Sequence, residues 1–260
     1  MKRREFITLL GGAAAWPLAA RAQQSASKRL LIGFLGAASK ASGGRYYGGF
    51  TIGMRDLGYL EGRDYLFEER YADGEVTRLP LLAEEMVRLK PDVIVSSNTA
   101  AAVATKRVTD SIPIVCATLT DPVGVGLVAS ESRPGTNVTG ILLRLPGLTG
   151  KQLEIAADLV PMLPSKVGVL LNLSNPANAV QWREAESAAA TLDLSLAPTE
   201  VASPDNMGPA FQAFSRDRVG IVLVFLDAMF FTARRQIAAF ALTSRLPTIF
   251  GAASMSRMAD

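Results

Sequence analysis

The chain has 260 residues, with 27 Lys plus Arg against 24 Asp plus Glu, a single cysteine (Cys116) and no histidine. That inventory leaves no His-based catalytic triad, no zinc cage of Cys and His ligands and no internal disulfide. The net charge of +3 belongs to residues 1–22, where Lys2, Arg3, Arg4 and Arg21 meet only Glu5; the rest is balanced and lacks the basic surplus that a phosphate backbone demands, so nucleic acid is not an expected partner.

In chain order, residues 1–22 read as an export signal. A basic start precedes the apolar stretch Phe6–Ala20, and Ala20-Arg21-Ala22 has the small-x-small form of a cleavage site. Gly11, Gly12 and Pro17 leave that stretch too short and too broken to span a membrane. Arg3-Arg4-Glu5-Phe6-Ile7 resembles the twin-arginine export motif; an ordinary secretory signal with neighbouring arginines is the other reading. Either way the mature chain starts near Gln23 and works in the periplasm, and no cysteine follows for a lipid anchor.

The body is 49% hydrophobic and 20% charged, enough apolar material for a sizeable core. It alternates strand-like and helix-like segments. Leu30–Leu35 is a continuous apolar run, as a strand covered on both faces requires. Helix-like spacing follows over Tyr46–Gly58, then a strand over Tyr65–Tyr71 and a helix whose inner face is Val76, Leu79, Leu82, Met86 and Leu89. Asp92–Ser96 reads as a strand, Thr99–Thr109 as a small-residue helix and Ile112–Ala117 as a strand in which Cys116 is a small buried hydrophobe. Pro134-Gly135 and Pro146-Gly147 flank a short strand, Val138–Leu143, that looks like a crossing between lobes. The alternation then restarts. Thr149 and Gln152 suggest a capping box for a helix through Val160. A strand over Lys166–Leu173 and a helix from Asn175-Pro176 to about Thr191 come next. A strand over Leu194–Val201, a helix from Ser203-Pro204 to near Ser215, a strand over Gly220–Leu226, a helix over Ala228–Ser244 and a strand over Pro247–Gly251 complete the pattern. Repeated βα units predict an α/β fold of two doubly wound parallel-sheet lobes.

Enzyme motifs are missing. There is no phosphate-cradling G-x-x-x-x-G-K-[ST] loop and no G-x-S-x-G elbow. Gly124-Val125-Gly126 follows Asp121-Pro122 instead of a strand, and no cofactor or metal is expected. Ligands of open parallel sheets sit outside the carboxyl ends of the strands, and here those ends are rich in small polar groups. They are Gly36, Ala37 and Ser39; Ser96, Ser97, Asn98 and Thr99; Thr118 and Asp121; Asn172, Ser174 and Asn175; and Asp227. Ser96–Thr99 at a helix start suits an anion, while Asp121 and Asp227 suit a cationic group approached from opposite lobes. Asn98, Thr99, Asn175 and Asp227 equally suit plain helix caps. Tyr46, Tyr47 and Phe230 stand just beyond such ends as candidate clamps for a flat ligand, or as core.

An ordered set of motifs resembles bacterial ABC-transporter substrate-binding proteins of the tryptophan-binding-protein type. It comprises Lys2–Ile7, Arg21-Ala22-Gln23-Gln24, Ile32–Leu35, Gly58–Gly62, Lys90–Ile94, Ile112–Val115, Asp121–Gly124 and Gly135–Gly140. The resemblance implies a type I periplasmic-binding-protein fold whose two lobes close on a small organic ligand, an amino acid or aromatic carboxylate. It also implies delivery to an ABC permease and ATPase, no catalysis, and membrane contact only through the permease. The expected division is 1–22 export signal, 28–140 N-terminal lobe, 141–250 C-terminal lobe and 251–260 a truncated return crossing. The final elements of the first lobe would then be missing, leaving apolar surface exposed. Two departures accompany the resemblance: the Ser96–Thr99 turn is less glycine-rich than in relatives, and Ser254–Met258 does not match the family's usual continuation. A secreted α/β enzyme and a ligand-presenting sensory receptor are the alternative readings.

Overall fold

A computed structural model describes residues 29–143, 147–159 and 166–250; the expected export signal and return crossing lie outside them. The first unit runs β1 (Leu30–Gly36), α1 (Lys40–Asp56), β2 (Tyr65–Tyr71), a 3-10 turn into α2 (Leu79–Arg88), β3 (Val93–Ser96), α3 (Thr99–Lys106), β4 (Ile114–Leu119) and β5 (Val138–Leu142). The second runs α4 (Leu148–Leu159), β6 (Lys166–Leu171), α5 (Pro176–Thr191), β7 (Ser195–Glu200), a 3-10 turn into α6 (Met207–Arg216), β8 (Ile221–Val224), α7 (Ala228–Thr232), α8 (Arg234–Ser244) and β9 (Thr248–Phe250). All strand pairs are parallel, in the orders β2-β1-β3-β4-β5 and β7-β6-β8-β9. The second sheet thus repeats the first four positions of the first. In each the order reverses beside the opening strand, between β1 and β3 and between β6 and β8, which is where loops on successive strands part and leave a crevice.

Periodicity built these layers. α2 turns Leu79, Leu82, Ala83 and Met86 inward, and α6 turns Met207, Ala210, Phe211 and Phe214 inward. Burying each large side chain contributes about 1.5–3 kcal/mol. Cores form on both faces of the second sheet: one gathers Phe211, Phe214, Met229 and Phe230, the other Leu153, Val169 and Phe225. In the first sheet the α2–α3 side is packed. On the other side α1 covers β1 and β2 through Tyr47 and Phe50 against Phe67. That face is open over β4 and β5, where Val115 is 38% and Ile141 70% exposed.

Five local expectations change. α1 begins at Lys40, six residues before the apolar spacing starts, because Ser39 caps it by accepting from Ser42 N. β4 is shifted to Ile114–Leu119, so Thr118 lies within a strand. The segment after Gly135 is no free crossing: β5 pairs with β4 as a fifth parallel strand, its register slipping between Cys116 and Leu119. Gly140 permits this, since a Cβ there would stand 2.2 Å from the Cys116 carbonyl oxygen. Finally, the helix expected over Ala228–Ser244 breaks at Ala233, where Arg234 Nη1 donates to the Phe231 carbonyl at 2.7 Å and takes one end of α7 out of the helical ladder. The capping box also fails: α4 starts at Leu148, and the Thr149 hydroxyl, inside the helix, donates to Glu184 instead.

The two units meet through α7 and α3. Ala228 packs against the first unit's core, and α3 packs against α5. The Ser39 N–H donates to Thr232 Oγ1 at 3.3 Å, and the Ser42 hydroxyl lies 3.3 Å from the same oxygen. Gly74, at φ +90°, lies so close to α7 that a Cβ would come within 2.8 Å of Met229 Cα.

Candidate functional site

A cavity of about 650 Å³ opens between the carboxyl ends of the two sheets and takes lining from both units. That volume falls in the range of small-molecule sites. From the first unit come Gly36 and Ala38 after β1, Ser97, Asn98 and Thr99 after β3, and Ala117, Thr118, Thr120 and Asp121 at the end of β4. From the second come Asn175, the α5 face and the Leu226–Ala228 segment after β8.

The first wall is built by hydrogen bonds that tie one strand end to the next. Ser97 Oγ accepts from Ala37 N at 2.9 Å, fastening the β3 end to the β1 end. The Thr118 hydroxyl donates to the Ser97 carbonyl at 3.0 Å, and Thr120 N donates to Thr99 Oγ1 at 2.8 Å. Asn98 caps α3 by accepting from Ala101 N at 3.0 Å. The bulge beside Gly140 is what places Thr118 here, as bulges next to sites re-aim side chains. Asp121 sits in a left-handed turn, φ +47°, and its Oδ1 accepts from Gly124 N at 3.0 Å.

The second wall is a closed polar network. Asp227 is 5% exposed. Its Oδ2 accepts from Asn175 Nδ2 at 2.8 Å and Asn172 Nδ2 at 3.3 Å, and its Oδ1 accepts from Met229 N at 2.7 Å. Burial pushes its carboxyl above the usual carboxylate range, against the pull of these donors. Asn172 in turn accepts from Ser174 N and Asn175 from Ala177 N. Gln181 clasps the Leu226 backbone in both directions.

Of the residues singled out from the sequence, Gly36, Ser97, Asn98, Thr99, Thr118, Asp121, Asn175 and Asp227 line the cavity. Ala37, Ser39, Ser96, Asn172 and Ser174 do not. Ala37 is fully buried beneath the β1 end. Ser96 is fully buried, its hydroxyl 3.4 Å from Thr105 Oγ1. Ser39 serves α1 and the contact with Thr232, and Asn172 and Ser174 serve the Asp227 network. Tyr47 and Phe230 are not among the aromatic residues that line the cavity. Phe230 is fully buried in the core. Tyr47 packs on Phe67 and donates to Glu61. The Tyr46 side chain lies outside what is described. Phe34, Tyr71 and Phe231 line the cavity instead, with the Phe34 and Tyr71 ring centroids 5.6 Å apart.

The α5 stripe of Ala177, Val180, Gln181 and Glu184, all on the cavity wall, is not among the residues expected from the strand ends. Their spacing of three, one and three is a single helical face directly after the Asn175 cap, and that pattern was the available signal. Charged side chains on the wall are Asp121, Glu131, Glu184 and Asp227, with no Lys or Arg among the described residues that line it. Cys116 lies outside the lining; burial pushes its thiol up to about 12, as for an inert core cysteine.

A sequence profile described as "ABC transporter substrate binding protein" matches residues 36–258. A "Tyrosine-binding protein" from Clostridioides difficile is 33% identical over 133 residues, which is 51% of this chain and 38% of that protein. The chain therefore aligns with well under half the length of that curated relative. A conserved domain protein from Vibrio cholerae superposes with a TM-score of 0.78 at 26% identity, over 88% of this chain and 76% of its own. An ABC domain from Streptococcus pneumonia, solved with L-Trp, gives the same TM-score and coverage at 23% identity, which speaks to the fold alone. The profile match spans most of the described residues, and the fold superposes on these solved structures. The chain belongs to the ABC transporter substrate-binding protein family.

Proposed function

We propose that this chain is the extracytoplasmic solute receptor of an ABC importer, exported by the signal at 1–22, with lobes at 28–140 and 141–250 that close on a small organic ligand. The observation that carries this reading is the cavity of about 650 Å³, walled on one side by strand ends of the first sheet and on the other by α5 and the β8 end. A ligand held there touches both units at once. Closure adds contacts that an open form lacks, and this differential affinity drives the shift. Ser97, Asn98 and Thr99 at the α3 start suit a carboxylate, where hydroxyls and the helix dipole meet an anion. Phe34, Tyr71 and Phe231 suit a flat side group. An aromatic amino acid combines both features, in keeping with the relatives named above. Members of the family bind solute and hand it to a permease and ATPase without making or breaking bonds.

A thermal-shift screen of the purified protein against amino acids and aromatic acids tests the proposal. A ligand at 100 times its Kd stabilises the folded form by about 2.7 kcal/mol, a rise in Tm of several degrees. A folded protein that no compound of a broad solute library shifts would overturn it.

A further inference from the structure

The cavity wall carries more carboxylates than its internal hydrogen bonds use, and they are not equivalent. Asp227 is buried and both of its oxygens are occupied by donors from Asn172, Asn175 and the α7 backbone. Glu131 stands on the exposed rim and has interactions of its own. Asp121 closes its own turn through Gly124 N. Glu184 differs from all three. It is half-buried on the α5 face, beside Leu148 and Val180 of the cavity wall, and it accepts one hydrogen bond, from Thr149 Oγ1 at 3.2 Å. It forms no ion pair with a described residue, although Arg183 precedes it on the exposed side of the same helix. Thr149 itself is buried and lines the cavity, so it holds the carboxylate in one orientation.

A ligand donor that reaches the Glu184 carboxylate from the cavity gains a charge-assisted hydrogen bond. We infer that Glu184, positioned by Thr149, is the specificity-determining acceptor for a primary ammonium group of the ligand, so that the cavity selects amine-bearing solutes over carboxylic acids that lack an amine. The role that its place at a strand end suggested for Asp227 passes to Glu184, because Asp227 already accepts from three donors of its own network and Glu184 from one. The inference rests on the reading that a solute occupies this cavity.

Titration calorimetry with matched probes separates the two claims. The probes are L-tyrosine, tyramine (amine without carboxylate) and 3-(4-hydroxyphenyl)propionate (carboxylate without amine), each against wild type, Glu184→Gln and Glu184→Asp. The expected result is that both amines bind wild type, that the acid binds far more weakly, and that Glu184→Gln weakens the amines roughly 10- to 100-fold. The same variant does not weaken the acid, because the acid has no ammonium to lose and meets one negative charge fewer, and Glu184→Asp recovers part of the loss. Glu184→Gln keeps the acceptor for Thr149, so its Tm without ligand matches wild type and the affinity change reports recognition. If the acid binds wild type as well as L-tyrosine does, or Glu184→Gln leaves amine binding unchanged, the role of Glu184 is overturned while solute binding stands. If no probe binds wild type, the amine class is overturned, and the broad screen above then decides on solute binding itself.

Discussion

The two walls of the cavity come from units that share the strand order of their first four positions, yet they use their polar residues differently. In the first unit the hydroxyls of Ser97, Thr99 and Thr118 tie neighbouring strand ends together while still lining the cavity. In the second unit Asn172, Asn175 and Asp227 close on one another, only Asn175 and Asp227 reaching the cavity, and most of the wall beside them is a helix face, Ala177, Val180, Gln181 and Glu184. A polar group at a strand end is therefore either scaffold or contact, and only its hydrogen-bond partners say which. One wall is a rim of loops, the other a helix seated on a buried polar knot.

Breaking the knot should have the largest effect. Asp227→Ala strands the amides of Asn172 and Asn175 and the Met229 N–H in a buried site, with an expected loss of roughly 3 kcal/mol in chemical denaturation. A loss near zero would mean the knot is not the foundation of the second wall. Asp227→Asn adds a pH test. Burial raises the carboxyl in the folded protein, so the folded state holds the proton more tightly than the unfolded chain does. The resulting stabilisation is complete below the ordinary carboxylate pKa and disappears as pH rises through the raised value. Wild type should lose stability relative to Asp227→Asn when melting is followed from about pH 4 upward, and parallel profiles would refute the desolvated carboxylate.

An intermediate effect belongs to the seam between the units. Gly74→Ala places a methyl group against Met229 Cα in a left-handed backbone conformation, at an expected cost of about 2 kcal/mol. Because Gly74 and Met229 lie in different units, small-angle scattering should show a larger radius of gyration, and unchanged scattering would show that this contact does not hold the units together. The smallest effect is on the rim. Asn98→Ala removes the α3 cap for about 1 kcal/mol, readable as a modest drop in Tm. Because Asn98 also lines the cavity, its solute affinity should fall as well; a drop in Tm with affinity intact would assign Asn98 to scaffold alone and bring the two walls closer in kind.

How much was legible in advance divides along the same line. The caps were readable because they are local: Asn98, Asn175 and Asp227 each accept from a backbone N–H two or three residues on. The eight residues that do line the cavity were found by their place at strand ends. The five that do not line it, Ser96 and Asn172 among them, share that place and differ only in packing. The α1 start at Ser39 was missed because glycines and polar residues obscure the apolar spacing there, and Ala233 because nothing in Ala228–Ser244 forbids a continuous helix.

Sequence alone determined the alternation of strands and helices, the parallel sheets, the helix caps and the family, since hydrophobic periodicity and capping act within a few residues along the chain. Tertiary structure alone decided that Asp227 is consumed by partners 52 and 55 residues away, that Phe230 is core while Phe231 faces the cavity, and that Glu184 stands on the wall opposite Ser97 and Thr118. Those outcomes depend on how two sheets and their helices pack across a gap, where side chains distant in sequence compete for the same few hydrogen bonds and the same dry space.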